Sequence, residues 1–168
     1  MSGKQNSELL TKLMEKFDSI DRKGETKSHK LYLFSLLQST IFLEDCKNGH
    51  YFQTTDRCYV QFQSVEVTWD VASDRCKKTG GVLAAIPNQE TQNFIENNFD
   101  FSSAVGSGFW LGGVKKSGFW TWVDGSTWTG YTNWLSGQPN DEEVLLIGPD
   151  YTWRDWTKSN VLYYLCQY

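Results

Sequence analysis

Hydrophobic and polar positions change period several times along the chain, and each change predicts an element. Residues 7–20 space Leu10, Leu13, Phe17 and Ile20 at heptad-like intervals with Lys and Glu between them, which predicts a short amphipathic helix. Two heptads are too few to hold chains together unaided, so a surface helix and a neck that associates chains both stay open. Residues 22–30 are polar and read as a linker. Residues 31–43 are then almost continuously apolar, broken only by Ser35, Gln38, Ser39 and Thr40. That run is shorter than the about 20 residues of a membrane span. Its basic flank, Lys27, His29 and Lys30, gives it the outline of a secretory leader, although it starts late and lacks an Ala-x-Ala cleavage pattern. A leader, an anchor, and an edge strand or helix covering the domain are the readings for this run. Residues 1–45 are accordingly taken as an N-terminal extension and residues 46–168 as the domain.

From Cys46 onward the periods are those of a folded unit. Residues 58–62 alternate Tyr, Val and Phe as a strand does. Over 67–77, Trp69, Ala72 and Cys76 fall at helical spacing behind Thr68, a plausible cap. A second helix is predicted over 89–98, opened by Pro87-Asn88 and burying Phe94 and Ile95. Residues 99–136 carry Gly, Ser and Trp in quick succession without a helical period, and read as strands and long loops. Residues 145–147, 152–155 and 162–166 read as short closing strands, antiparallel because their connections are too short for crossovers. The pattern as a whole is α+β: two helices packed on antiparallel strands with a loop-rich region.

Composition narrows what such a domain does. The chain has 168 residues, 16 Lys plus Arg and 20 Asp plus Glu, for a net charge of -4 without a basic stripe, so nucleic acid is not an expected partner. Eight Trp, eight Tyr and ten Phe supply an aromatic core rather than a disordered chain. The four cysteines, Cys46, Cys58, Cys76 and Cys166, allow three pairings, and arithmetic does not choose among them. Neither the cysteines nor His29 and His50 stand at zinc-ligand spacing, so oxidation in a secretory compartment is the better reading. No Ser, Cys or His nucleophile arrangement exists, and Asp141, Glu142, Glu143 and Asp155 are explained as loop carboxylates, so an enzyme is not expected.

The motifs carry a resemblance. Cys76 ends the first helix, Trp110-Leu111-Gly112-Gly113 stands at mid-chain, and Trp120-Thr121-Trp122-Val123-Asp124-Gly125-Ser126, Gln138-Pro139-Asn140, Trp153-Arg154-Asp155 and Cys166 follow in order. Together they resemble a C-type lectin-like domain in its long form, covering residues 46–166. The resemblance implies the C-type lectin fold, with Trp110 filling the core and the glycines admitting close backbone approach. It also implies pairing of Cys76 with Cys166 and of Cys46 with Cys58. The family's further bridge across the binding loops is missing, its two positions being Val144 and Lys158; that forgoes about 3 kcal/mol and is expected to loosen the neighbouring loop.

In calcium-dependent members of that family, two carboxylates or amides flanking a cis-proline, a downstream Glu, and an Asn and Asp after a strand Trp supply oxygens to calcium. By that resemblance the metal ligands here would be Gln138, Asn140, Glu142 and Asp155, with Glu143 and Arg154 completing the ligand-binding set. Calcium takes six to eight hard oxygens. Arg154, however, stands where a ligating Asn is expected, and a guanidinium about 4 Å from calcium is repelled by on the order of 8 kcal/mol at an effective dielectric of about 20. A second possibility is that Arg154 replaces the metal by pairing with Glu142, Glu143 or Asp155. Trp128, Tyr131, Trp134 and Trp156 are candidates for stacking on a ligand.

Two functions follow from the resemblance. One is an extracellular or secreted carbohydrate-binding domain with a glycan or glycoprotein partner, its need for calcium left open. The alternative is a calcium-independent domain that binds a protein or other non-sugar ligand.

Overall fold

The computed structural model of the chain describes residue 46, residues 48–104 and residues 108–168. The elements expected over 7–20 and 31–43 lie outside the described residues. The described elements run in the order β1 (His50–Phe52), β2 (Arg57–Val67), α1 (Trp69–Lys78), β3 (Val82–Leu83), α2 (Gln89–Asn98), β4 (Phe109–Lys116), β5 (Phe119–Trp122), β6 (Val144–Ile147), β7 (Trp153–Trp156) and β8 (Leu162–Gln167). Asn48–Tyr168 is one compact unit.

Local chemistry accounts for both helices. At the start of α2 the Asn88 side chain accepts hydrogen bonds from the Thr91 N–H at 2.8 Å and the Thr91 hydroxyl at 3.0 Å, a filled N-cap. Ile95 is buried, and Phe94 is half-buried and stacked on Phe52 at 4.4 Å. Helix α1 begins at Trp69, two residues later than the pattern suggests, because Val67 is still paired with Leu162 of β8. Thr68 occupies the N-cap position without a side-chain bond to the helix. Strand β2 also outruns its predicted end at Phe62: its register with β8 shifts between Phe62 and Val67, and that irregular stretch hides the alternation.

The strand order is β1-β2-β8-β4-β6-β7, with β3 paired to β8 and β5 to β4. The hairpin β6–β7 is antiparallel, as expected. Strand β8 is antiparallel to β2 but parallel to β4, which corrects the expectation for the closing strands. Short connections dictate direction only between consecutive strands that also pair with each other, and β7 and β8 follow one another without being neighbours in the sheet.

Two apolar clusters form on the sheet, and strand alternation sorts residues between them. Val144 and Leu146 of β6 join Trp69, Ala72, Cys76 and Trp110, while Leu145 and Ile147 join Phe109, Leu111 and Trp153. The buried indoles are satisfied: Trp69 Nε1 donates to the Leu111 carbonyl at 2.9 Å and Trp110 Nε1 to the Val67 carbonyl at 2.8 Å. Glycine is required beside them, since a Cβ on Gly112 would stand 2.5 Å from the Leu83 carbonyl oxygen and one on Gly113 2.7 Å from Leu145. Cys76 of α1 is bonded to Cys166 of β8 across 90 residues of chain, a closure contributing about 4.6 kcal/mol in the chain-entropy treatment. Among the described residues no cysteine is free, Cys46 and Cys58 each taking part in a disulfide.

Candidate functional site

The β6–β7 hairpin sets the geometry of the loop region. Its turn is closed by the Gly148 N–H to the Thr152 carbonyl at 2.9 Å and the Tyr151 N–H to the Gly148 carbonyl at 3.0 Å, with Tyr151 at φ 59°. This is a three-residue hairpin loop ending in a left-handed residue. Alternation along β7 then buries Trp153 and Asp155 on one face and leaves Arg154 and Trp156 on the other.

Trp153 is the anchor for the long loop. Trp122, Trp128, Tyr131 and Trp134 meet its ring nearly edge-on, with centroids 5.5 to 5.9 Å away. Such pairs are worth about 0.5–1.5 kcal/mol each beyond area burial. Its indole N–H donates to Gln92 Oε1 at 3.0 Å. The loop backbone is tied to the same residue: the Trp153 N–H donates to the Asn133 carbonyl at 2.7 Å, and the Leu135 N–H to the Trp153 carbonyl at 2.9 Å. Trp128, Tyr131 and Trp134, candidates for ligand stacking, are therefore largely the core of the loop, whereas Trp156 is 40 % exposed.

Of the six expected site residues, Gln138, Asn140 and Glu142 meet at Asp155, which is wholly buried, while Glu143 and Arg154 do not join them. The Gln138–Pro139 peptide is cis. Asp155 Oδ1 accepts from the Asn140 N–H at 2.8 Å, and Oδ2 from the Glu142 N–H at 2.7 Å. The Asp155 N–H donates to Gln138 Oε1 at 3.1 Å. Glu142 Oε2 accepts from the Thr157 hydroxyl at 2.9 Å. Glu143 is exposed, and its carbonyl accepts from the Lys115 N–H at 2.8 Å. Lys115 also pairs through its side chain with exposed Asp141, whose carboxyl it holds below the usual range. Among the described residues, no three or more His, Cys, Asp or Glu side chains are grouped to hold a metal.

Arg154 does not pair with Glu142, Glu143 or Asp155. Its Nη2 donates to Asp150 Oδ2 at 2.8 Å. Strand alternation is the reason: Arg154 and Asp155 point to opposite faces, and the hairpin turn brings Asp150 back beside Arg154. Burial pushes Asp150 up, but hydrogen bonds from Arg154 and Thr152 outweigh it and hold its carboxyl below the usual range. Asp150 is not among the expected site residues, though the Gly148-Pro149-Asp150-Tyr151 turn signal marks its place in the chain.

The positions of the missing bridge are filled by packing. Val144 is fully buried in the cluster that contains Trp69. Lys158 lies with its ammonium 5.6 Å from the centre of the Trp69 ring, and its carbonyl accepts from the Trp69 N–H at 3.3 Å. One tryptophan thus draws both segments together where a disulfide is absent.

A buried strand Trp followed by a loop-binding Asp, a cis-proline loop and a helix-to-last-strand disulfide make a specific combination, and residues 65–168 match the lectin C-type domain family. The chain belongs to that family. C-type lectin domains are binding modules, not enzymes, and they are typically extracellular or secreted, which the disulfides fit. The chain is 29% identical over 133 residues to human C-type lectin domain family 10 member A, covering 73% of this chain and 40% of that protein. Among solved structures it resembles the C-type lectin domain of murine dendritic cell inhibitory receptor 2 in complex with N-glycan, at 25% identity and a TM-score of 0.64, over 73% of this chain and 96% of that one. It also resembles a calcium-independent type II antifreeze protein, at 28% identity and a TM-score of 0.55, over 67% of this chain and 85% of that one. The family thus includes glycan-binding and calcium-independent members. No helix among the described residues is long and apolar enough to cross a membrane.

Proposed function

We propose that this C-type lectin domain is an extracellular carbohydrate-binding module whose loop is held by Asp155 rather than by calcium. The observation that carries this reading is the use of both Asp155 oxygens by the Asn140 and Glu142 N–H groups. Calcium needs six to eight oxygens aimed at one point. Here Asp155, Gln138 and Glu142 each already accept hydrogen bonds within the protein. That donor set does not fit the ion. Glycan contact then falls to the side chains at the loop rim, Gln138, Asn140, Glu142, Glu143 and Arg154, with Asp155 in a supporting role.

A second reading is favoured by exposed Trp156 and Val161 and by the likeness to a calcium-independent antifreeze protein: a protein or other non-sugar ligand. A glycan array probed in calcium and in chelator separates the possibilities. Equal binding in both conditions is the expected result. Binding in calcium alone would overturn the metal-free loop, and silence in both would favour the non-sugar ligand.

A further inference from the structure

On the outward face of β7 lies a cavity of about 610 Å³ whose lining includes Gln138, Arg154, Trp156, Asn160, Val161 and Leu162. Alternation along the strand puts it on the face away from the Asp155 carboxylate, and Gln138, which accepts from the Asp155 N–H, reaches its edge. Trp156 and Val161 remain 40 % and 51 % exposed. An open aromatic face beside a few planar hydrogen-bonding side chains is the make-up of a small-ligand site.

Arg154 is the cation lining this cavity, and its guanidinium is incompletely satisfied. Nη2 has Asp150, but Nη1 is shut from solvent without a hydrogen-bond partner. The group lies against the hairpin backbone in space that any side chain at position 148 would need, so Gly148 acts as a positioning residue for it. The counter-ion is the exchangeable part: the Asp150 side chain is 45 % exposed, and a pair of that exposure is weak in water.

We propose that this cavity takes a sugar residue bearing a carboxylate. The sugar ring lies against Trp156, and its carboxylate displaces Asp150 from a guanidinium that turns to meet it, supplying the acceptor that Nη1 lacks. Asn160 and Gln138 are the neutral groups available to its hydroxyls. The inference rests on the carbohydrate-binding reading and names the sugar class and the face that takes it.

The test uses the full chain with sialyllactose and lactose as probes in a calorimetric titration. Sialyllactose is expected to bind more tightly than lactose, and Arg154→Gln to weaken sialyllactose by about 10-fold or more, well beyond any loss for lactose. Asp150→Asn is expected to tighten sialyllactose several-fold, because the ligand no longer competes with a built-in carboxylate. A misfolded variant would not produce that gain. Equal affinity for the two sugars, or failure of both while neutral glycans bind on the array, overturns the acidic-sugar inference and leaves the carbohydrate-binding reading standing. Failure of both sugars together with a silent array overturns the two at once.

Discussion

Replacing Asp155 with Asn takes the charge from a fully buried side chain and leaves one acceptor oxygen where two backbone N–H groups converge at 2.8 and 2.7 Å. A hydrogen bond to a charged acceptor contributes about 1.5–3 kcal/mol, and a neutral one about 1 kcal/mol. The amide retains one bond at the weaker value and turns its NH2 toward the second N–H, donor against donor. Against this, an amide is easier to bury than a carboxylate, and the freed loop N–H can reach water. The balance is a loss of about 2 kcal/mol. For a unit of this size each kcal/mol moves the melting midpoint by about 3–5 °C, so the variant should melt about 6–10 °C lower. Calorimetric melts in chelator and in millimolar calcium supply the decisive comparison. The wild-type midpoint is expected to be the same in both, whereas a ligand at 100 times its dissociation constant would add about 2.7 kcal/mol and be plainly visible. A wild-type midpoint that rises with calcium, with the rise abolished in Asp155→Asn, would refute the reasoning. So would a variant that melts with the wild type, because the two N–H bonds would then be holding nothing.

Three other outcomes are expected. Asp124 accepts from Arg57 and Gln167 at 2.8 and 2.9 Å; burial pushes it up, but hydrogen bonds from Ser126, Gln167 and Arg57 outweigh that and leave it below the usual carboxylate range. With the folded value depressed, its stabilisation is present above the unfolded value of about 4 and is lost as pH falls through the lower folded one, so acid titration of Asp124→Asn should show a shallower fall there than wild type. Gly113→Ala sets a methyl 2.7 Å from Leu145 and should cost about 1–3 kcal/mol in urea unfolding; a midpoint within error of wild type would mean that β4 and β6 part easily. Trp153→Phe leaves Gln92 Oε1 without its indole donor and thins the aromatic ring around it, for about 2–3 kcal/mol, and near-ultraviolet circular dichroism should lose intensity with it.

Much of the scaffold is legible in the sequence. Helix α2 occupies the residues its pattern and the Pro87-Asn88 signal predict, because a filled N-cap and an apolar stripe are local properties. Trp110 and Gly112-Gly113 announce close packing, since a large ring beside residues with no side chain has few other uses. The candidate site is less legible. Gln138, Asn140, Glu142 and Asp155 do gather, but their chemical types suit calcium as well as they suit a hydrogen-bonded loop, and only distances and donor directions tell these apart. The pairing of Arg154 with Glu142, Glu143 or Asp155 failed for a similar reason: opposite charges alone allow it, and the pleat of β7 turns Arg154 away from Asp155 toward Asp150.

The sequence by itself determined the α+β pattern, the likeness to the family and the residues from which the loop is built, all of which depend on period and on order along the chain. Tertiary structure alone decided the parallel pairing of β4 with β8, the filling of the missing bridge by Val144, Lys158 and Trp69, the Asp150–Arg154 pair and the cavity beside Trp156. Each of these depends on which face a side chain takes and on what a distant segment brings to it, and a one-dimensional pattern carries the first only in part and the second not at all.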